Sequence, residues 1–404
     1  MTVSSMKWAV VGFVFAVGVG GVRGDALPGF RAELLGSAAG FVSSVAVDGR
    51  GTIYYTTTSG GVFRVGGGEV AHVTTDAIGN SGLLGMALMD DRTAVVHYTT
   101  PNQTDDVIAK LDLLTGEETI VHKFVCDISL PGREGPSEHH GGNPHVSADG
   151  SIWVAIGDYG GGLIASLPEW NGGKVFRIHP DGAVEQFALG FRNPFDLTYD
   201  AANDRVIVAD NGPLMNDELN IVTRGGNYGW PFTAGDDPPI AGTVPPVYTF
   251  PATVAPTGIV GLSGRNTMLR RGYLLGGFVT KAIYYIPDID APAPITLIER
   301  DPGFVIDVAE APNGDIVFAT GNAIYRLNVP ARGDCNGDGR VNAADVAALT
   351  LELADGPAHR MVDAPLGNYA GSWGCDANAD SLINAADLTA LFRVVGSRTR
   401  AVGR

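Results

Sequence analysis

Apolar and polar residues alternate along most of this chain in short runs closed by turn residues, and the pattern returns six times. The segments are "VSSVAVDGRGTIYYTTTSGGVFRV", "LLGMALMDDRTAVVHYTT", "GNPHVSADGSIWVAIGD", "NPFDLTYDAANDRVIVAD", "LSGRNTMLRRGYLLGGFVTKAIYYI" and "VIDVAEAPNGDIVFATGNAIYRLNV". Each reads as an alternating strand, a polar turn, an apolar strand and a further short strand. Period-two alternation marks strands with one face in a core. Asp48-Gly49, Asp149-Gly150 and Asn313-Gly314 stand where hairpin turns belong. A repeat of roughly 40–60 residues suits four-stranded blades. The pattern therefore predicts an all-β six-bladed β-propeller over residues 27–330. The fifth segment is the least regular, and a pair of β-sandwiches is the minor alternative.

After "LNVPARG" the pattern changes. "DCNGDGRVNAAD" and "DANADSLINAAD" are twelve-residue loops, each followed by a helical run, "VAALTLELA" and "LTALFRVV". Oxygen-bearing side chains at loop positions one, three, five and twelve have the spacing that wraps a chain around Ca²⁺. In the first loop these are Asp334, Asn336, Asp338 and Asp345, with the Arg340 carbonyl. In the second they are Asp376, Asn378, Asp380 and Asp387, with the Leu382 carbonyl. Gly339 supplies the turn in the first loop, whereas Ser381 stands there in the second, which predicts a weaker site. Asp rather than Glu at position twelve resembles a type I dockerin more than an ordinary EF-hand. Residues 333–397 are thus expected to form a small α-helical dockerin-like module with two EF-hand-type calcium loops. A duplicated acidic turn without metal is the plainer alternative.

Composition narrows the classes. Hydrophobic residues make up 45% of the 404 residues, enough for a real core. The 56 glycines and 24 prolines supply the many turns a short-strand protein needs. A formal charge of −17 argues against nucleic acid and anionic membrane as partners. At the start, Lys7 precedes an apolar run from Trp8 to Val22 and then small residues. That reads as a secretory signal peptide over residues 1–24 and a secreted or periplasmic protein, an uncleaved anchor being the alternative. Cys335 and Cys375 could pair in an oxidising compartment, leaving Cys126 as a buried thiol.

Chemistry gathers in "EHHGGNPHVSADGSIWVAIGD", which holds three of the eight histidines. Gly141-Gly142 leave the backbone bare for a flat ligand, and Asp158 ends the next strand, 19 residues after His139. A carboxylate fixing one imidazole nitrogen leaves the other to accept a proton, although such a pair is more often a structural hydrogen bond. Arg192 and Asn193 open another blade in "LGFRNPFDLTYD". "ADNGPLMNDELNIVTRGGNYGWP" then offers the Gly212 and Pro213 carbonyls, Asp217, Glu218 and Tyr228, hard oxygen groups that suit calcium or merely a polar loop.

These stretches, with "GLLGMA" and "GGKVFRI", resemble in order the soluble quinoprotein sugar dehydrogenases, the glucose/sorbosone dehydrogenase family, over roughly residues 27–329. The resemblance implies a six-bladed propeller that binds pyrroloquinoline quinone (PQQ) through Ca²⁺ and oxidises aldoses at C1. It implies His139 as catalytic base and Asp158 as its orienting partner. Asn80, Arg192, Asn193 and Lys281 would contact the cofactor. Gly212 and Pro213 would hold the cofactor's calcium. Glu218 and Tyr228, with Asp217 and Asp236 as helpers, would hold a second calcium. The sugar and an unidentified electron acceptor are the implied partners, with a cohesin-like partner for the tail. One departure stands out. Where the family carries arginines for the quinone carboxylates, this chain has Phe304 and Ile306, and Arg265, Arg270, Arg271 or Arg300 is the candidate replacement. The alternative function is a non-catalytic carbohydrate- or protein-binding propeller; a calcium-dependent hydrolase has no nucleophile motif behind it.

Overall fold

Each blade's inner strand carries apolar side chains on both faces, because both faces meet another blade. A computed structural model describes residues 29–126, 138–266, 268–300, 302–355, 359–360, 373–378, 380 and 382–402. It contains six antiparallel four-stranded sheets. Their inner strands are Val42–Val47, Leu83–Leu88, His145–Val146, Pro194–Asp200, Pro256–Ser263 and Val305–Glu310, each packed beside the next and the last beside the first. Six separate hydrophobic layers fill the spaces between neighbouring blades. Strand Ile152–Ile156 shows how alternation builds them. Val154 and Ile156 face the second blade, while Trp153 and Ala155 face the fourth.

The ring is closed by a strand the repeat pattern leaves out. Arg31–Ser37 pairs antiparallel with Ala323–Asn328 as the outermost strand of the sixth blade. So the first and last parts of the propeller share one sheet. Its alternation is diluted because it is an edge strand with Leu34 facing solvent.

Around the channel, buried carboxylates join blade to blade. Asp307 accepts Ser44 Oγ at 2.9 Å and Val45 N at 2.8 Å, while Asp196 accepts Ile259 N at 2.7 Å and Asn143 Nδ2 at 3.3 Å. Burial pushes both carboxyls up, Asp307 to about 7. Gly258 lies against Asp307, where a Cβ would come within 2.1 Å of its Oδ1. The ring therefore needs glycine there.

The C-terminal module has helices α1 (Ala343–Asp355) and α2 (Ala385–Val402) around Val341, Leu349, Ile383 and Leu391. Cys335 and Cys375 are joined in a disulfide in this core, and Cys126 is a buried cysteine outside that disulfide. The expected leader and Ser381 lie outside the described residues. No helix among the described residues is long and apolar enough to cross a membrane.

Candidate active site

His139 adopts a left-handed backbone conformation, φ 47°, in the loop entering the third blade. Its Nδ1 lies 2.7 Å from Asp158 Oδ1, just beyond the strand Ile152–Ile156. Asp158 is nearly fully buried and engaged on both oxygens. Gly160 N donates to Oδ1 at 2.8 Å, and Trp230 Nε1 donates to Oδ2 at 2.7 Å. Asp158 N in turn donates to the Arg192 carbonyl at 2.8 Å. The imidazole is therefore held by a carboxylate that is itself held. His139, Asp158, Gly160, Arg192, Pro213 and Trp230 line a cleft of about 370 Å³. His140 points the other way, into the core, with no exposed surface.

Arg192 reaches the same cleft. Its Nη1 donates to the Asn211 and Gly212 carbonyls at 3.0 and 3.1 Å, and its guanidinium lies 5.7 Å from the Trp230 ring centre. The turn that presents it is fixed from below by Asp210, which accepts Arg192 N at 3.0 Å and Asn193 N at 2.7 Å. Burial first, and the nearby Glu218 second, push the Asp210 carboxyl well above the usual carboxylate range. Neither Trp230 nor Asp210 was singled out as functional by sequence reasoning. The signals available were the Trp-Pro pair in "NYGWP" and the acid that ends "VIVAD".

The glycines Gly141 and Gly142 also meet a packing requirement. A Cβ on Gly141 would lie 2.2 Å from the Ala155 carbonyl, and one on Gly142 1.6 Å from the Phe195 carbonyl. Their bare backbone lets strands pack, and Gly141 also lines the neighbouring hollow at the channel mouth. Gly160, Gly161 and Gly162 line the cleft itself. The cleft's wall from Gly162 to Gly172 is tied down by Lys174. Its buried ammonium donates to the Ile164, Ala165 and Gly172 carbonyls at 2.8, 3.0 and 2.6 Å. Lys174→Met strands three carbonyls and is expected to cost about 2–3 kcal/mol. Urea denaturation measures this, and an unchanged midpoint refutes it.

Beside the cleft, a hollow of about 320 Å³ at the channel mouth is lined by Asn80, Asn193, Phe278 and Ile306, among others. Asn80 Nδ2 also donates to Glu138 Oε2 at 3.2 Å, next to His139. At the expected arginine positions, Ile306 is buried and Phe304 is 42% exposed. Phe304 stacks on Phe278 with centroids 4.5 Å apart, and Lys281 Nζ sits 4.9 Å from the Phe304 centroid. Strand register sorts the replacement arginines. Pro194 pairs with Asp210 and Pro256 with Gly277 at the His139 end, whereas Ser263 pairs with Arg271 at the opposite end. Arg265, Arg270 and Arg271 therefore belong to the wrong end of the propeller. Arg300 donates its backbone N–H to the Lys281 carbonyl at 2.9 Å, on the correct rim.

The expected calcium ligands divide into two groups. Gly212 and Pro213 lie at the cleft, the first accepting Arg192 and the second accepting Met215 N at 2.6 Å. Asp217 is spent on backbone, accepting Gly212 N at 3.1 Å and Val254 N and Ala255 N both at 2.8 Å. Glu218 accepts Gly235 N at 2.8 Å and Asn220 Nδ2 at 3.1 Å. The Tyr228 hydroxyl donates to Ile221 O at 2.7 Å and accepts Thr223 N at 2.9 Å, so its side chain is engaged away from Glu218; Asp236 is exposed. In the tail, Asp345 accepts Asn336 N and Asn342 N, and Asp387 accepts Asn378 N and Asn384 N in the same way. Asp338 accepts Arg340 N, and Asp380 accepts Leu382 N. The two loops thus fold alike. Burial, then neighbouring carboxylates among other causes, raise the Asp334 and Asp387 carboxyls. Asp376 is buried and Asn378 is half-buried.

Trp230→Phe removes the donor to Asp158 Oδ2. A hydrogen bond to a charged group is worth about 1.5–3 kcal/mol. Any turnover that uses this pair is expected to fall about 10- to 100-fold in kcat with little change in KM. Equal kcat in steady-state assays would show that the bond is dispensable.

Fold and site together define a six-bladed propeller with a carboxylate-backed histidine in a cleft at one end of its ring. Residues 44–327 match the Glucose / Sorbosone dehydrogenase family, and the chain belongs to it. Residues 332–396 match the Dockerin type I domain. Quinoprotein glucose dehydrogenase B of Acinetobacter calcoaceticus is 27% identical over 214 residues, 41% of this chain and 43% of that protein. The HIPL1 protein of Arabidopsis thaliana is 23% identical over 279 residues, 50% of this chain and 40% of that protein. The chain spans less than half the length of these curated relatives. The PQQ-bound aldose sugar dehydrogenase of Streptomyces coelicolor superimposes with a TM-score of 0.63 at 21% identity, over 76% of this chain and 99% of that one. That likeness establishes the fold.

Proposed function

We propose that this protein is a sugar dehydrogenase that oxidises an aldose or related sugar at C1, with PQQ and Ca²⁺ held at the rim beside His139. The observation that carries the reading is the 2.7 Å contact between His139 Nδ1 and a doubly anchored Asp158. With Nδ1–H directed at the carboxylate, Nε2 is the ring nitrogen left to accept a proton. The neighbouring groups fit a planar anionic cofactor. The Phe278–Phe304 stack and Lys281 offer a flat face and a positive charge, and Arg192 a second charge. The Gly212 and Pro213 carbonyls each have a second lone pair for a hard cation. Bound PQQ would supply the two-electron acceptor for hydride from C1.

The chain's own groups do the rest. His139 Nε2 takes the C1 hydroxyl proton, and Asp158 stabilises the resulting imidazolium. Arg192, Asn193 and Lys281 position the cofactor and offset negative charge as it develops on it. Reconstitution with Ca²⁺ and PQQ, followed by dye reduction across a panel of aldoses, tests the reading. Quinone binding without turnover on any sugar would favour the binding propeller, which the loss of arginine at Phe304 and Ile306 supports.

The tail, in this reading, docks the enzyme to a cohesin-like partner after export and folds on calcium. Asp334, Asn336, Asp338, Asp345 and the Arg340 carbonyl form one site; Asp376, Asn378, Asp380, Asp387 and the Leu382 carbonyl form the other. Without a cation the clustered carboxylates repel. Chelation is expected to remove most α-helical circular dichroism from the full chain, since α1 and α2 are its only long α-helices among the described residues. Unchanged helix signal in excess chelator would refute calcium-dependent folding of the tail.

A further inference from the structure

Beneath the His139 loop lies a second cluster that the proposed sugar chemistry does not use. Asp106, Cys126 and His140 are all buried, and one potential ligand atom from each lies within 4.8 Å of the others. His140 Nδ1 is 3.0 Å from Asp106 Oδ1 and 3.9 Å from Cys126 Sγ. A fourth group, outside that mutual set, approaches Asp106 from the neighbouring strand. His97 Nε2 lies 4.0 Å from Asp106 Oδ1 and has no hydrogen-bond partner, in a side chain with no exposed surface.

The tautomer of His97 makes that atom informative. Its Nδ1 sits 2.7 Å from the Gly142 carbonyl, and a carbonyl oxygen only accepts. Nδ1 must therefore carry the proton, which leaves Nε2 as a bare lone pair aimed at a buried carboxylate. Protonating Nε2 would not resolve this, since 4.0 Å is too long for a hydrogen bond. A cation seated between the two acceptors would. An imidazole with one nitrogen on a backbone carbonyl and the other facing inward is also the usual posture of a metal-bound histidine.

We propose that His97 Nε2, Asp106, Cys126 Sγ and His140 Nδ1 bind one divalent transition-metal ion of zinc's class. The mixed set of two imidazoles, a thiolate and a carboxylate suits a borderline-soft ion rather than Ca²⁺. With bonds of about 2.0 Å to nitrogen or oxygen and about 2.3 Å to sulfur, tetrahedral edges run about 3.3–3.5 Å. The separations within the three-residue set, 3.0 and 3.9 Å, bracket that range, while His97 Nε2, 4.0 Å from Asp106 Oδ1 but outside the 4.8 Å set, has to shift inward to complete the tetrahedron. The ligands come from two strands of the second blade, from the residue after its last strand, and from the residue after His139. The ion would thus pin the loop that carries His139 to the second blade. It also gives Cys126, the thiol left over by the Cys335–Cys375 disulfide, a role.

Cobalt(II) titration of the full-length, calcium-saturated protein tests this by absorbance. The expected result is one equivalent of Co²⁺ with a sulfur-to-cobalt charge-transfer band, displaced by Zn²⁺. Because the other two cysteines are joined, the band can arise only from Cys126. Cys126→Ser is expected to abolish the band, and His97→Gln to keep it while weakening affinity at least about tenfold. No band in the native protein at saturating Co²⁺ overturns the site, whether or not the variants fold. Equal Co²⁺ affinity in native protein and His97→Gln overturns the four-ligand assignment.

Discussion

His139→Ala is expected to lower kcat/KM for sugar about 10²–10⁴-fold while leaving quinone affinity within a few-fold of the native value. The imidazole offers a single nitrogen to the cleft, because Asp158 occupies the other at 2.7 Å. Removing it takes away the proton acceptor without touching Arg192, Asn193 or Lys281. Asp158→Asn keeps a side chain of the same shape, and its amide oxygen can still accept His139 Nδ1 and Gly160 N, although its NH2 then faces the Trp230 donor. It loses the charge that favours imidazolium, so its effect is expected to be the smaller. His140→Ala acts elsewhere, since its ring meets Asp106 in the core at 3.0 Å, and is expected to cost stability before turnover. Steady-state dye reduction with saturating PQQ, together with a quinone titration, separates these effects. A dispensable His139 beside an essential His140 would move the base by one position and sink the proposed mechanism.

The parts of this molecule that were legible in the chain are those where one local rule acts alone. Inner strands such as Val42–Val47 alternate because each face meets a different blade, and Gly150 and Gly314 take the left-handed turns their dipeptides announce. His139 and Asp158 could be paired because a single hairpin separates them. Arg31–Ser37 was not legible as a propeller strand, since its partner lies nearly three hundred residues away and its outer face is wet. Trp230 and Asp210 escaped for a related reason. Trp230 reaches Asp158 only when the ring brings their loops to one end, and Asp210 acts on the backbone N–H groups of Arg192 and Asn193, which no side-chain pattern announces. The packing demand at Gly141 and Gly142 was not legible, because a bare backbone looks the same in a chain whether it faces a ligand or a neighbouring carbonyl. Arg265, Arg270 and Arg271 stood near Lys281 in sequence, yet the strand direction carries them to the far end.

Phe304→Arg is expected to tighten PQQ binding at least roughly tenfold. A charge-assisted pair between arginine and carboxylate is bidentate and strong, and breaking one typically costs about 2–5 kcal/mol. Position 304 can host the new charge, because Phe304 is 42% exposed and lies against Lys281 and Phe278 at the rim. Ile306 cannot do so as cheaply. It is 3% exposed and walls the channel-mouth hollow beside Leu83 and Pro256, so an arginine there buries a charge until a carboxylate arrives. The double variant Phe304→Arg with Ile306→Arg should therefore melt lower than the single one without PQQ and recover with it. Native protein is expected to need excess cofactor and calcium unless Arg300, on the same rim as Lys281, already reaches the carboxylates. Arg300→Ala separates the two cases: it weakens binding only if Arg300 has taken over the role. Absorbance titration of PQQ against the native protein and these variants, with calcium saturating, reads all of them on one scale. If neither native protein nor Phe304→Arg binds the quinone, PQQ-dependent oxidation fails and the binding propeller takes its place.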